Sequence, residues 1–165
     1  MNKKLKFWED LKSGQFVSLV KESSKGQSLN TSLEVYNIMK PVFAEVDDIE
    51  VLYCIYLDAK NRIVAIEKMA SGSISRSVVY PREIIKRIIS LKSTAVIVTH
   101  NHPTGDPGPS DADKSITIQL WVALKSIEVN LYDHIIIGDG YYSLGDEGFI
   151  ESLKERFDDF LMNNL

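Results

Sequence analysis

Residues Thr94 to Asp113 read TAVIVTHNHPTGDPGPSDAD, and this stretch decides what kind of domain the chain builds. TAVIVT is a short apolar run rich in β-branched residues, which reads as a buried strand running straight into His100. Between Pro103 and Pro109 prolines and glycines forbid regular structure, and Ser110 then caps a helix carrying Ile116, Leu120, Ala123 and Leu124 at helical spacing. Strand, loop and helix in that order point to an α/β domain. Downstream, Leu131 to Ile137 reads as another strand. A tight turn at Gly138 to Gly140 leads into Tyr141 to Leu144, and Phe149 to Leu161 forms a C-terminal helix. Upstream, EVLYCIYL from Glu50 to Leu57 is apolar enough for a strand covered on both faces, and the turn DAKN joins it to a second strand over Arg62 to Ala70. Pro81 opens a helix in which Ile84, Ile85, Ile88 and Leu91 recur. The fold expected is a mixed β-sheet flanked by helices.

The first 45 residues carry no strand-like alternation and scatter Phe7, Trp8, Leu11, Phe16 and Val17 among charges, which suits short helices. A turn-rich linker, SSKGQSLNTS from Ser23 to Ser32, precedes a helix over Thr31 to Pro41. The expected organisation is a helical N-terminal appendage, residues 1–45, and one domain, residues 46–165. At 165 residues, with 44% hydrophobic and 25% charged residues, the chain has the composition of a globular protein. No long uncharged apolar run occurs, and MNKKLKFWED lacks a signal-peptide core, so a cytoplasmic protein without a membrane span is expected. The single cysteine, Cys54, excludes an intramolecular disulfide and any zinc site built from several thiolates. The net charge of -4 gives no global attraction to phosphate backbones. Arg82, Lys86, Arg87 and Lys92 form a local basic segment that reads as the solvated face of a helix.

His100 and His102, two residues apart at a strand end, put their α-carbons roughly 6.6 Å apart on one face, where two imidazoles can converge on an ion. A catalytic zinc typically takes three protein ligands and leaves a fourth position for water. Asp113 supplies a carboxylate, because Ser110 as cap puts it in the first helical turn above the loop. Each part has a plainer reading alone: Ser110 and Asp113 make a capping box without any metal, and a His-x-His pair also serves turns and core hydrogen bonds.

The full string, His100-Asn101-His102-Pro103 with seven residues from His102 to Ser110 and two more to Asp113, resembles the metalloprotease motif of the JAMM or MPN family. The phrases VLYCIYLDAKNRI, VVYPREIIKR, THNHPTGDPGPSDAD and DHIIIGDGYYS, from about Glu50 to Ile150, resemble its RadC-like branch. The resemblance implies an MPN/JAB-type fold with cytidine-deaminase-like architecture, and one Zn2+ on His100, His102 and Asp113. It implies Glu50 as the general base of a water-using peptidase or isopeptidase and Ser110 as a donor to the oxyanion; Glu67, which also lies on the hairpin and would project toward the site in another register, is the fallback base. His134 is expected to be a partly buried structural residue, and Asp106 and Asp111 to serve the turn and the helix dipole. A peptide or protein substrate is favoured. The branch is also linked to DNA repair, but the acidic chain shows neither a helix-hairpin-helix signature in its N-terminal part nor a second metal site. A metal-bearing scaffold without turnover would show lost ligands, which this sequence does not. Nucleoside deamination needs a Cys-x-x-Cys pair that one cysteine cannot supply. The residues do not specify an oligomeric state.

Overall fold

Apolar strands of the kind found at Val51–Leu57 and Ala95–Asn101, buried along their whole length, need cover on both faces, and the fold supplies it. The structure is a computed structural model that describes residues 13–44, 46, 48–72 and 79–164. The readings of Phe7, Trp8, Leu11 and the chain start lie outside those residues. The described elements run α1 (Gln15–Ser24), α2 (Ser32–Phe43), β1 (Val51–Leu57), β2 (Ile63–Ser71), α3 (Pro81–Leu91), β3 (Ala95–Asn101), α4 (Asp111–Lys125), β4 (Asn130–Ile137), β5 (Tyr141–Ser143) and α5 (Phe149–Asn164).

The strands form one five-stranded sheet in the order β2-β1-β3-β4-β5. β1 pairs antiparallel with β2 and β3, β4 runs parallel to β3, and β5 returns antiparallel to β4. The expected mixed sheet flanked by helices is therefore what the chain builds. Alternation along the strands divides the core in two. Leu52, Cys54, Tyr56, Val96 and Val98 face α3, α4 and α5 through Ile84, Ile88, Leu120, Trp121, Leu124 and Leu153. Val51, Tyr53, Ile55, Leu57, Ile97 and Ile135 face the other way and pack with Val35, Met39, Val42 and Phe43 of α2. Cys54 is buried in the first of these cores.

Two details differ from the sequence reading. The second helix does not stop at Pro41 but carries it inside and continues to Phe43. Burial of Val42 and Phe43, the latter edge-on to Tyr53 with ring centroids 5.5 Å apart, offsets the hydrogen bond that proline cannot make. The segment read as an appendage also contributes this helix to the core, through Val35, Met39, Val42 and Phe43. Among the described residues no helix is long and apolar enough to cross a membrane.

The helix ends follow local rules. Thr31 and Glu34 form a reciprocal capping box at α2, and Pro81 occupies the first turn of α3. The basic residues of α3 lie on its outer side, where Arg87 pairs with Glu67 of β2 at 2.5 Å and Arg82 stacks over Tyr80.

Candidate metal centre

β3 delivers three consecutive polar residues to three different environments. His100 continues the face of Val96 and Val98 toward α4 and is fully buried. Asn101 turns to the opposite face. His102 follows one residue past the strand end, where its N–H donates to the Ile137 carbonyl at 2.8 Å, and its side chain stays 13% exposed. The strand thus runs past Thr99 to Asn101, and the chain turns from His102, whose carbonyl accepts from Gly105 N–H.

The loop Pro103 to Pro109 is held against the β4–β5 turn. Gly105 N–H donates to the His102 carbonyl at 3.0 Å, and Asp139 N–H donates to the Gly105 carbonyl at 2.8 Å. A Cβ on Gly138 would stand 2.1 Å from the Gly105 oxygen, so that backbone approach requires glycine. Asp106 closes an Asx turn by accepting from Gly108 N–H at 2.9 Å. Asp111 opens α4 in its first turn, where the helix dipole favours an anion. Neither carboxylate belongs to the cluster formed by the histidines and Asp113.

Ser110 caps α4: its Oγ accepts from Asp113 N–H at 3.1 Å, while its own N–H and hydroxyl donate to Asp113 Oδ2, each at 2.7 Å. This box fixes Asp113, which is buried, over the end of β3. His100 Nε2 lies 3.0 Å from His102 Nε2 and 3.1 Å from Asp113 Oδ1, and His102 Nε2 lies 3.3 Å from Asp113 Oδ2. Ligand atoms held 2.0 to 2.1 Å from a zinc ion at tetrahedral angles are about 3.3 Å apart, and these three separations, the last two to different oxygens of Asp113, are of that size. These residues form the one His/Asp cluster of metal-binding shape among the described residues. The His102 Nδ1 lies 2.8 Å from the Asp106 carbonyl, which can only accept. The ring therefore donates from Nδ1 and turns its Nε2 lone pair inward.

The charges suit a metal as well. Burial lowers the pKa of His100 despite Asp113 beside it, so its ring is held neutral. Burial works to raise Asp113, but bonds from His100, His102 and Ser110 prevail and hold it well below the ordinary carboxylate range. His102, more open, is raised above the usual 6.5 by its contact with Asp113.

Glu50 stands just before β1, half-buried, and its charge raises the pKa of both His100 and His102. What carries it there is Asn101, whose Oδ1 accepts from Val51 N–H at 2.7 Å while Nδ2 donates to the Val46 and Ile49 carbonyls, each at 2.9 Å. The motif reading passed over Asn101 as the spacer between ligands. Its signal was the placing of a polar residue on the opposite strand face from a buried histidine. Glu67, the fallback base, is engaged elsewhere: it pairs with Cys54 across β1 and binds Arg87 in a two-toothed ion pair at 2.5 and 2.8 Å. His134 is fully rather than partly buried, its pKa pushed well down by burial, and its ring touches both His100 and Thr117 of α4.

The profile of the RadC-like JAB domain matches residues 29–149, a span that includes α2. A UPF0758 protein of Methanosarcina mazei is 41% identical over 126 residues, covering 76% of this chain and 55% of that protein. Another, from Coxiella burnetii, is 49% identical over 102 residues, covering 61% and 46%. The chain spans about half the length of the curated relatives it matches.

Proposed function

The chain belongs to the RadC-like JAB domain family, and from that membership and the His-His-Asp triangle we propose that it is a zinc-dependent hydrolase of amide bonds in a peptide or protein. The observation that carries the proposal is the convergence of two Nε2 atoms and a carboxylate at 3.0, 3.1 and 3.3 Å beside a half-buried glutamate. Zinc on His100, His102 and Asp113 would supply Lewis acidity and bring the pKa of a water to about 7. Glu50 would act as the general base, taking a proton from the attacking water and passing it to the leaving amine. Ser110 is the donor to the developing oxyanion, an interaction worth about 3 to 4 kcal/mol when well aimed. Its hydroxyl proton rests on Asp113 Oδ2 in the structure, and the Ser110 N–H still serves that oxygen when the hydroxyl turns away.

The surroundings favour a peptide over a nucleic acid. A cleft of ≈ 230 Å³ beside His102 is lined by Phe43, Val46, Pro103 and Ile137, together with the charged Lys40 and Asp139. Apolar walls accept a side chain, whereas Glu50, Asp106, Asp111 and Asp139 near the site repel a phosphate backbone.

The test has two arms. Protein purified without chelator is expected to hold about one zinc per chain, lost in His102→Ala. Glu50→Gln is expected to keep the zinc and to retain cellular substrates for identification by mass spectrometry. Absence of metal, or its retention in His102→Ala, overturns the metal reading. Recovery of nucleic acid on Glu50→Gln, with DNA binding at low salt, overturns the choice of substrate.

A further inference from the structure

We propose that Thr117 and His134 are positioning residues that fix which nitrogen of His100 offers its lone pair to the metal, an inference that rests on the metal reading above. The contacts form an unbroken buried line. Thr117 Oγ1 lies 2.6 Å from the Asp113 carbonyl and 2.6 Å from His134 Nδ1, and His134 Nε2 lies 2.8 Å from His100 Nδ1. Thr117, His134 and His100 are each 0% exposed, so water cannot complete any of these bonds.

Proton bookkeeping along this line allows two arrangements. A hydroxyl has one proton to give, and a neutral imidazole donates from one nitrogen and accepts at the other. If the Thr117 proton goes to the Asp113 carbonyl, Thr117 Oγ1 must accept from His134 Nδ1–H. His134 Nε2 then accepts from His100 Nδ1–H, and His100 Nε2 is left bare, facing His102 Nε2 at 3.0 Å and Asp113 Oδ1 at 3.1 Å. If instead the Thr117 proton goes to His134, every step reverses, and His100 ends with Nε2–H directed at Asp113. The number of protons is the same in both, and no heavy atom need move. Only the first arrangement has room for a cation, because in the second a proton already stands between His100 and Asp113.

Thr117 selects between them through a helix contact. Its hydroxyl sits one turn after Asp113, where a threonine readily donates to the carbonyl four residues back. That carbonyl belongs to the residue whose carboxylate is the third ligand. One hydroxyl thus ties the backbone of one ligand to the ring orientation of another.

The experiment compares zinc affinity, by competition with a chromophoric chelator, in the full chain and in Thr117→Val and Thr117→Ser, together with 15N spectra of the histidine rings. Valine replaces the hydroxyl with a methyl of similar size and leaves His134 Nδ1 without an acceptor. Thr117→Val is expected to bind zinc about 10- to 100-fold more weakly, the usual cost of losing a partner behind a metal ligand, while Thr117→Ser stays within about threefold of the original chain. The zinc-loaded spectrum is expected to show protons on Nδ1 of both His100 and His134. Equal affinity in Thr117→Val, even with lowered thermal stability, overturns the proposal. If Thr117→Val does not fold, a proton on His134 Nε2 in the zinc-loaded original chain overturns it instead. Failure of the original chain to bind zinc sinks the metal reading itself, an outcome distinct from both.

Discussion

The two walls of the candidate centre are built on opposite principles. On the closed wall His100, His134, Thr117 and Asp113 are buried, and every ring nitrogen has a partner. On the open wall His102 is partly exposed, Glu50 half-buried and Ser110 at the surface. Groups that must hold a fixed geometry gain from exclusion of water, because an unpaired alternative is costly there. Groups that must exchange protons with a substrate need access. On the proposed reading, the closed wall holds the shape of the site and the open wall carries its chemistry.

Several substitutions would break or sharpen that contrast. The largest expected effect on metal-free stability is from His100→Ala, which leaves a cavity and an unpaired His134 Nε2, at about 3 kcal/mol or more in urea denaturation. His102→Ala, which removes the metal equally well, should cost under about 1 kcal/mol, since its site opens to water. Equal losses would abolish the distinction between the walls. Asn101→Ala is next, at about 2 to 3 kcal/mol, because three hydrogen bonds to the segment before β1 are lost. Zinc content should survive while turnover falls toward that of Glu50→Gln. Loss of zinc instead would mean that Asn101 supports the ligands rather than the base.

The pH dependence of zinc affinity probes the open wall alone. A ligand imidazole must be neutral, and the bond to Asp113 raises the pKa of His102 above 6.5. Affinity should therefore fall as pH falls, with the decline beginning above 6.5. The contribution of the same contact to metal-free stability has the opposite sign: it is full below 6.5 and is lost as pH rises through the raised value. An affinity flat down to pH 6 would contradict this. The smallest effect belongs to Glu67→Gln, outside both walls. It is expected to leave zinc content and turnover unchanged, and a loss of turnover would reopen the choice of base.

The sequence by itself determined a good deal. Continuous apolar runs specified β1 and β3, because strands covered on both faces have no polar side to show. The spacing from His100 to Ser110 and Asp113, taken with the motif it resembles, pointed to the His-His-Asp cluster, because a capping box places its third residue at a fixed point above the preceding loop. These are local facts, carried by neighbours in the chain. What only the tertiary structure decided lies between distant elements. Thr117 on α4 meets His134 on β4, Asn101 reaches back to Val46, Ile49 and Val51, and Gly138 gives way to the backbone of Gly105. None of these pairings has a periodicity or motif that announces it. Each is a buried polar group or a close backbone approach whose partner is chosen only when the sheet order brings the two segments together. For the same reason α2 read as an appendage. Its apolar positions identify a helix, but not the face of the sheet that would bury them.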